Sequence, residues 1–377
     1  MHRIKRILVV ITTVALTVSF MPSAPAATQQ NNWTKTQKIV YVGLTPKDQP
    51  NFWTENLSES ATAESEGEML TYAKTTVADA IKYWKQASRG KMKFGAPKFF
   101  FGKPGTAVKH CNFNADTKSA MKIAGSKSIP TGTHLVSVNI NDSCGYAGLG
   151  EQGGNSINLK SFGSTTLIHE LGHNFNFRHS SNIYCDNSDY TKFDATNCSV
   201  NEYGDFRDLM GNDDWCPSAT LSATQRATTF STPKAKNFTI GADTTVDESR
   251  LTSDNIVYQF LYKGNFYFFE YYIPGEERCI SINTFLDKPQ IQVRMIGPAW
   301  TRPKGKIVGP MLIHRHDDDF PTSVVDLDLN LDPEAIPSDW ILTGFLEGEK
   351  FQLPGAPYVL TVKSTGITSA VITLTKS

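Results

Sequence analysis

His169-Glu170-Leu171-Gly172-His173-Asn174-Phe175-Asn176-Phe177-Arg178-His179 is the stretch on which the reading of the whole chain turns. On an α-helix, residues four apart share a face, so His169 and His173 can address one ion. Glu170 lies about 100° round the helix, beside that ion rather than on it, where a general base belongs. His179 is too far along the axis to join them unless the chain turns back. Asn176 stands where that reversal is needed, and asparagine is the non-glycine residue most tolerant of positive φ. The expectation is one catalytic zinc ion (Zn2+) on His169, His173 and His179. Three imidazoles leave the fourth zinc position open, which separates a catalytic site from a structural one. The competing reading is an ordinary amphipathic helix that packs Leu167, Ile168, Leu171 and Phe175 and leaves its histidines on the surface. A chance match to the full pattern is expected in about one chain in several thousand, which favours the metal site.

The 377-residue chain is long for a single core and points to two domains after processing. With 37 basic and 37 acidic residues the formal charge is zero, so composition gives no reason to expect nucleic acid as a partner. His2-Arg3-Ile4-Lys5-Arg6 followed by the apolar run Ile7 to Phe20 reads as a secretory signal, with Ala24-Pro25-Ala26 as the small-residue cleavage site. Residues 1–26 are thus expected to be removed, leaving a net charge near −3 once Arg3, Lys5 and Arg6 are gone. No Cys sits at that cleavage site to carry a lipid, and no later stretch is long and apolar enough to span a bilayer. The expected location is extracellular, with no membrane attachment after signal removal. Six cysteines (Cys111, Cys144, Cys185, Cys198, Cys216, Cys279) read first as disulfides in an exported chain. They allow fifteen pairings, of which Cys185 with Cys198 is the most local. No CxxC pair supports a thiolate metal site instead. No Cys precedes Cys111, which argues against a cysteine-switch form of latency.

Periodicity divides the remainder into 27–232, which carries the histidine motif, and 233–377, which reads as strands throughout. In the first part, strands are expected at Lys38 to Leu44 and His134 to Ile140, with an apolar run over Lys91 to Phe101. Helices are expected through Val77, Ala80, Ile81, Trp84 and Ala87, over Asp116 to Ala124, and over Leu221 to Phe230. Asn51 to Gly67 reads as a loop. Ser164 is the expected N-cap of the histidine helix. Cys144 to Gly154 (CGYAGLGEQGG) has no phosphate-loop pattern; its value is an exposed backbone edge along which an extended peptide could pair. A plain flexible loop is the bland alternative. In the second part, Val257 to Tyr262 and Phe266 to Tyr272 form an expected hairpin. Further strands are expected at Cys279 to Thr284, Gln290 to Ile296, Lys306 to Ile313, Ser323 to Leu329, Tyr358 to Lys363 and Ser369 to Thr375. Their spacing indicates an antiparallel sandwich. Asp317-Asp318-Asp319, beside His314 and His316, could hold a structural Ca2+, although a solvated acidic loop explains them as well.

HELGHNFNFRH (169–179), followed about thirty residues later by YGDFRDLMG (203–211) and preceded by CGYAGLGEQGG (144–154), resembles the metzincin zinc peptidases. Within that group the chain is most similar to gametolysin-type metallopeptidases, and AIKYWKQASRGKMKFG (80–95), LSATQRA (221–227) and the C-terminal 348–374 fit more loosely. The resemblance implies an α+β chain, in which a metzincin-like zincin catalytic domain of mixed twisted sheet plus active-site helix precedes an all-β sandwich domain. It implies His169, His173 and His179 as zinc ligands, Glu170 as general base and Met210 as a floor beneath the metal. It departs at Asn176, where most metzincins have glycine, and at Asn212, where some have a tyrosine. Tyr203 is a weaker stand-in for that tyrosine, with packing its simpler role. The implied function is a secreted zinc-dependent endopeptidase acting on extracellular polypeptides. The rival is an exported adhesion or recognition protein with an idle or structural zinc site. A third reading is a zinc hydrolase of another amide bond.

Overall fold

Thr36–Thr45 (β1) is the spine of the first sheet, and its alternation explains why both faces are covered. Ile39 and Tyr41 point to one side and Val42 and Leu44 to the other, the period of two that an extended strand imposes. The computed structural model describes residues 34–45, 47, 66–107, 111–139, 144–160, 163–185, 198–205, 208–211, 221–231, 234–248, 256–272, 289–296, 301–302, 306–307, 311–313 and 344–377. Lys93–Phe94 (β2), Lys98–Pro104 (β3) and Thr133–Val138 (β4) all run parallel to β1. Ser156–Leu159 (β6) extends the parallel set beside β4. Only Gly148–Gly150 (β5) runs antiparallel, on β6, and it is the last strand of the order β2-β1-β4-β6-β5.

Parallel neighbours need crossover connections, and helices supply them. Glu66–Ala87 (α1) connects β1 to β2, and Phe113–Ile123 (α2) connects β3 to β4. α1 shares an apolar core with Ser164–Asn174 (α3): Val77, Ala80 and Trp84 meet Leu167, Ile168 and Leu171 over Tyr41, Val138 and Ile157. α2 covers the other face, through Ala120 against Val42, Leu44 and Leu135. Trp84 is the pin between α1 and α3. Its indole N–H donates to the Ile168 carbonyl at 3.1 Å, and its ring meets Phe175 edge-on at 5.0 Å.

Two local expectations are corrected. α2 begins three residues before Asp116, because the Asn112 side chain accepts from the Ala115 N–H at 3.0 Å and caps the helix there. Asp116 is buried instead, its carboxylate accepting from Asn139 and Asn158 at 2.8 Å and from Lys160 at 2.6 Å. Ser164 is not the N-cap of α3 but its first helical residue; Gly163 precedes it and no side chain caps the end. Cys111 and Cys144 form a disulfide.

Beyond α3 lie Ser181–Cys185 (β7), Cys198–Asn201 (β8) and Ala223–Phe230 (α4), the last capped by the Ser222 hydroxyl. Then come Ala235–Asn237 (β9), Asp243–Asp247 (β10), Val257–Tyr262 (β11), Asn265–Tyr272 (β12) and Gln290–Ile296 (β13). The β11–β12 hairpin turns at Lys263-Gly264, both at positive φ (46° and 85°), as a tight two-residue turn requires. The expected strand from Lys306 to Ile313 is two short pieces. Lys306–Ile307 (β15) pairs with Thr301–Arg302 (β14), and Met311–Ile313 (β16) pairs with β13. Lys350–Gln352 (β17), Tyr358–Thr365 (β18) and Ser369–Lys376 (β19) complete the set.

The order of the larger sheet is β8-β7-β16-β13-β12-β11-β9, and β10-β19-β18-β17 forms a second. Both contribute to one apolar core, in which Phe260, Tyr267, Phe269 and Val293 meet Leu360, Val362, Ile372 and Leu374. β7 and β8, which precede residue 233, belong to the larger sheet through the parallel pairing of β7 with β16. The main chains of Cys185 and Cys198 stand opposite each other in the β7–β8 register. The chain is therefore α+β. No helix among the described residues is long and apolar enough to cross a membrane. The leader, most of the Asn51 to Gly67 loop, the strands expected at Cys279 to Thr284 and Ser323 to Leu329, and the Asp317-Asp318-Asp319 calcium candidate lie outside the described residues.

Candidate metal centre

His169 and His173 sit one turn apart on α3, and His179 comes back to them after the chain reverses. The reversal is a helix-terminating motif with its two expected hydrogen bonds: Asn176 N–H to His173 O at 2.8 Å, and Phe177 N–H to Gly172 O at 2.9 Å. Asn176 occupies the left-handed position at φ 73°, the conformation that its place in the sequence anticipates. Phe177 then enters the core against Trp84 and Phe230. That anchoring aims the next residues back toward α3.

The result is a triad of imidazoles whose ligating nitrogens lie within 4.8 Å of one another. In each ring, Nδ1 faces an oxygen. His169 donates to the Leu209 carbonyl at 2.8 Å, His173 to the Phe177 carbonyl at 3.0 Å, and His179 to a Glu202 carboxylate oxygen at 2.9 Å. With the proton fixed on Nδ1, the Nε2 lone pair of every ring is the one that turns inward. A neutral imidazole held in this tautomer by an outer oxygen is the usual form of a metal-ligating histidine. Burial lowers the pKa of His169 and of His173 to about 4, aided at His169 by the repulsion a protonated His179 would exert and at His173 by that of a protonated His169. Both therefore offer lone pairs, not charges, at neutral pH. The donor set fits a metal ion.

Glu170 is buried beside the triad, against the edge strand. A Cβ built on Gly148 would stand 2.7 Å from both the Cγ and an oxygen of the Glu170 side chain, and one on Gly150 would collide with the Glu170 backbone. These glycines let β5 run directly alongside α3. β5 carries the half-exposed Leu149 at the sheet's end. Met210 packs against α3: its sulfur would be 2.5 Å from a Cβ on Gly172, so the helix needs glycine there for the methionine to fit. A Cβ on Gly211 would overlap the Asp205 carbonyl, which explains the glycine that closes the turn. Tyr203 lays its ring on His179 at 3.9 Å between centroids. Its pKa is raised to about 12 by burial and then by the Glu202 and Glu170 carboxylates, so its phenol keeps its proton at neutral pH.

Glu202 escaped the sequence reading. It directly precedes Tyr203, but its bond to His179 has no spacing signature, because it depends on how β8 ends beside the returning loop. Asn212 lies outside the described residues, as do His110, His314 and His316. His134 stands apart from the triad, buried between Asn174 (2.9 Å) and Gln37 (2.8 Å), and burial lowers its pKa to about 4.

No protein-family model matches this chain, and no curated protein matches it at a significant level.

Two expectations follow from this geometry. Replacing Asn176 with Gly should leave metal binding and stability intact, whereas Asn176→Val should cost about 1–2 kcal/mol by forcing a branched side chain to positive φ. Denaturant midpoints of the two variants check this. In the metal-free protein, His134, His169 and His173 stay neutral down to about pH 4, whereas in the unfolded chain they protonate near 6.5. Between those values the unfolded state holds more protons, so stability falls as pH falls, by up to about 1.4 kcal/mol per pH unit for each histidine. A metal-stripped protein with the same midpoint at pH 7 and pH 5 would contradict the burial of these rings.

Proposed function

We propose that this chain is a secreted zinc-dependent endopeptidase with a metzincin-like catalytic part, and that His169, His173 and His179 hold the ion. The observation that carries the reading is the shared setting of the three rings: each Nδ1 faces an oxygen at 2.8–3.0 Å, and the ligating atoms lie within 4.8 Å of one another, with Glu170 beside them. Three imidazoles suit zinc and leave a coordination position open, whereas calcium seeks oxygen ligands. The ion, when bound, supplies Lewis acidity that polarises a carbonyl and acidifies water.

The chain's own residues do the rest. Glu170 accepts the proton of the attacking water at its carboxylate and returns it to the leaving amine. The edge strand β5 offers its outer backbone groups to an extended polypeptide, which adds as a further strand and so brings a peptide bond alongside Glu170 and the triad. Gly148 and Gly150 make that approach close enough, since any side chain on them would push β5 off α3. Met210 fills the space beneath the histidines without contacting substrate. Tyr203 holds His179 by ring contact. The basic and then apolar leader over residues 1–26 supports export, and the substrates are then extracellular polypeptides.

The test uses purified full-length protein on casein and on a quenched peptide, with and without a zinc chelator. Cleavage should stop on chelation and return with zinc. Glu170→Gln should retain the metal but lose about 10²- to 10⁴-fold in kcat, the range for a missing general acid–base group. Chelator-resistant cleavage, or full activity in Glu170→Gln, would overturn the assignment.

A further inference from the structure

The turn beneath the metal centre is held from the distant end of the chain. Arg294 on β13 is fully buried, and its guanidinium grips Asp205 in a fork: Nε donates to Oδ2 at 3.0 Å and Nη2 to Oδ1 at 3.3 Å. Nη1 donates to Glu270 at 2.9 Å and to Gln292 at 3.0 Å. Burial works against the charge, but the Asp205 and Glu270 carboxylates more than offset it and hold the guanidinium protonated. Glu270 in turn caps α4, accepting from the Thr224 N–H at 2.7 Å, the Ala223 N–H at 3.3 Å and the Thr224 hydroxyl. Two carboxylates against one guanidinium are thus balanced by a helix N-terminus.

Asp205 begins the turn that both flanking ligands rest on. The Asp208 N–H donates to the Asp205 carbonyl at 3.2 Å, and the Asp208 carboxylate accepts from the Met210 N–H at 2.8 Å and the Ser222 N–H at 2.9 Å. Leu209, inside this turn, supplies the carbonyl that orients His169. Ser180, next to His179, donates its N–H to the Met210 carbonyl at 2.7 Å and accepts from the Asp205 N–H at 3.4 Å. Two of the three imidazoles therefore take their placement from a turn whose first residue is clamped by Arg294.

We propose that Arg294 is a positioning residue of the metal centre, acting through Asp205 and the turn to the Leu209 carbonyl and to Ser180, so that the β part of the chain is a built component of the site. The inference rests on the triad being a metal site, as argued above. A lysine cannot replace the fork, because it offers a point charge where two parallel N–H groups are needed.

The experiment compares full-length wild type with Arg294→Lys, Asp205→Asn and, as a control, Asp116→Asn, which breaks a buried ion pair whose partners include none of the triad. Zinc affinity is read by competition with a chromophoric chelator, ligand geometry by the visible spectrum of the cobalt-substituted protein, and apo stability by denaturant midpoint. Arg294→Lys and Asp205→Asn should bind zinc about 10- to 100-fold more weakly and shift the cobalt bands, the scale seen when an outer partner of a metal ligand is lost. Asp116→Asn should lower the apo midpoint while keeping affinity and spectrum. If Arg294→Lys does not fold, Asp205→Asn decides alone. Wild-type affinity and spectrum in the folded variants overturn the proposal, as does an equal loss of zinc in Asp116→Asn for an equal loss of stability. A wild-type protein that binds no zinc overturns it together with the function proposed above; one that binds zinc but cleaves nothing overturns the peptidase reading only.

Discussion

Three imidazoles can present lone pairs to one point only if each carries its proton on the nitrogen that faces away. Everything around the triad serves that condition. Two of the three outer oxygens are main-chain carbonyls, Leu209 and Phe177, and the third is the Glu202 carboxylate. A carbonyl sits where the backbone path puts it, so ring orientation becomes a property of two turns. The Phe177 carbonyl is aimed by the reversal at Asn176, which ties the left-handed residue directly to the tautomer of His173. The Leu209 carbonyl is aimed by the turn that ends at Gly211.

The turn at Met210 and the edge strand β5 lie closer to α3 than side chains would normally permit, and glycine makes the difference at each approach. Gly172 admits the Met210 sulfur, Gly211 lets the turn fold against Asp205, and Gly148 and Gly150 bring the edge strand against Glu170. Interiors are packed to crystal-like density, so a single methyl at any of these points must displace a neighbour. On one side of the helix lies a sulfur, on another the edge of a sheet. α3 is thereby fixed from beneath and from the flank, while Trp84 holds its back through the Ile168 carbonyl.

The parts legible in the sequence are those governed by local periods. The four-residue spacing of His169 and His173, the positive φ at Asn176, β1, α1 and the β11–β12 hairpin all carry signatures in the local spacing of their own residues. α2 begins earlier than its apolar period shows because Asn112 caps it. Ser164 has the chemistry of a cap, yet Gly163 precedes the helix and no side chain takes that role. β7 has no signature in the sequence, since its partner β16 lies well over a hundred residues later, and β8 joins the sheet only through β7. Glu202, Asp205, Glu270 and Arg294 share that difficulty. Each is an ordinary charged residue locally, and only the fold makes them neighbours.

The polar clamp at Arg294 also explains why charge stands where apolar packing would be simpler. Buried ion clusters contribute little net stability against well-packed apolar replacements, because desolvation offsets attraction. What they add is geometric definition: an apolar contact tolerates sliding, whereas a guanidinium fork accepts one orientation of its carboxylate. A site that must hold its ligands to within about 0.5 Å benefits from the second property more than from the first. Asp205 and Asp208 are both fully buried, and between them they define the turn by bonds to Arg294, Met210, Ser222 and Gln225. The sheet that carries Arg294 is therefore part of the geometry of the metal centre, because it fixes the backbone from which His169 takes its bearing.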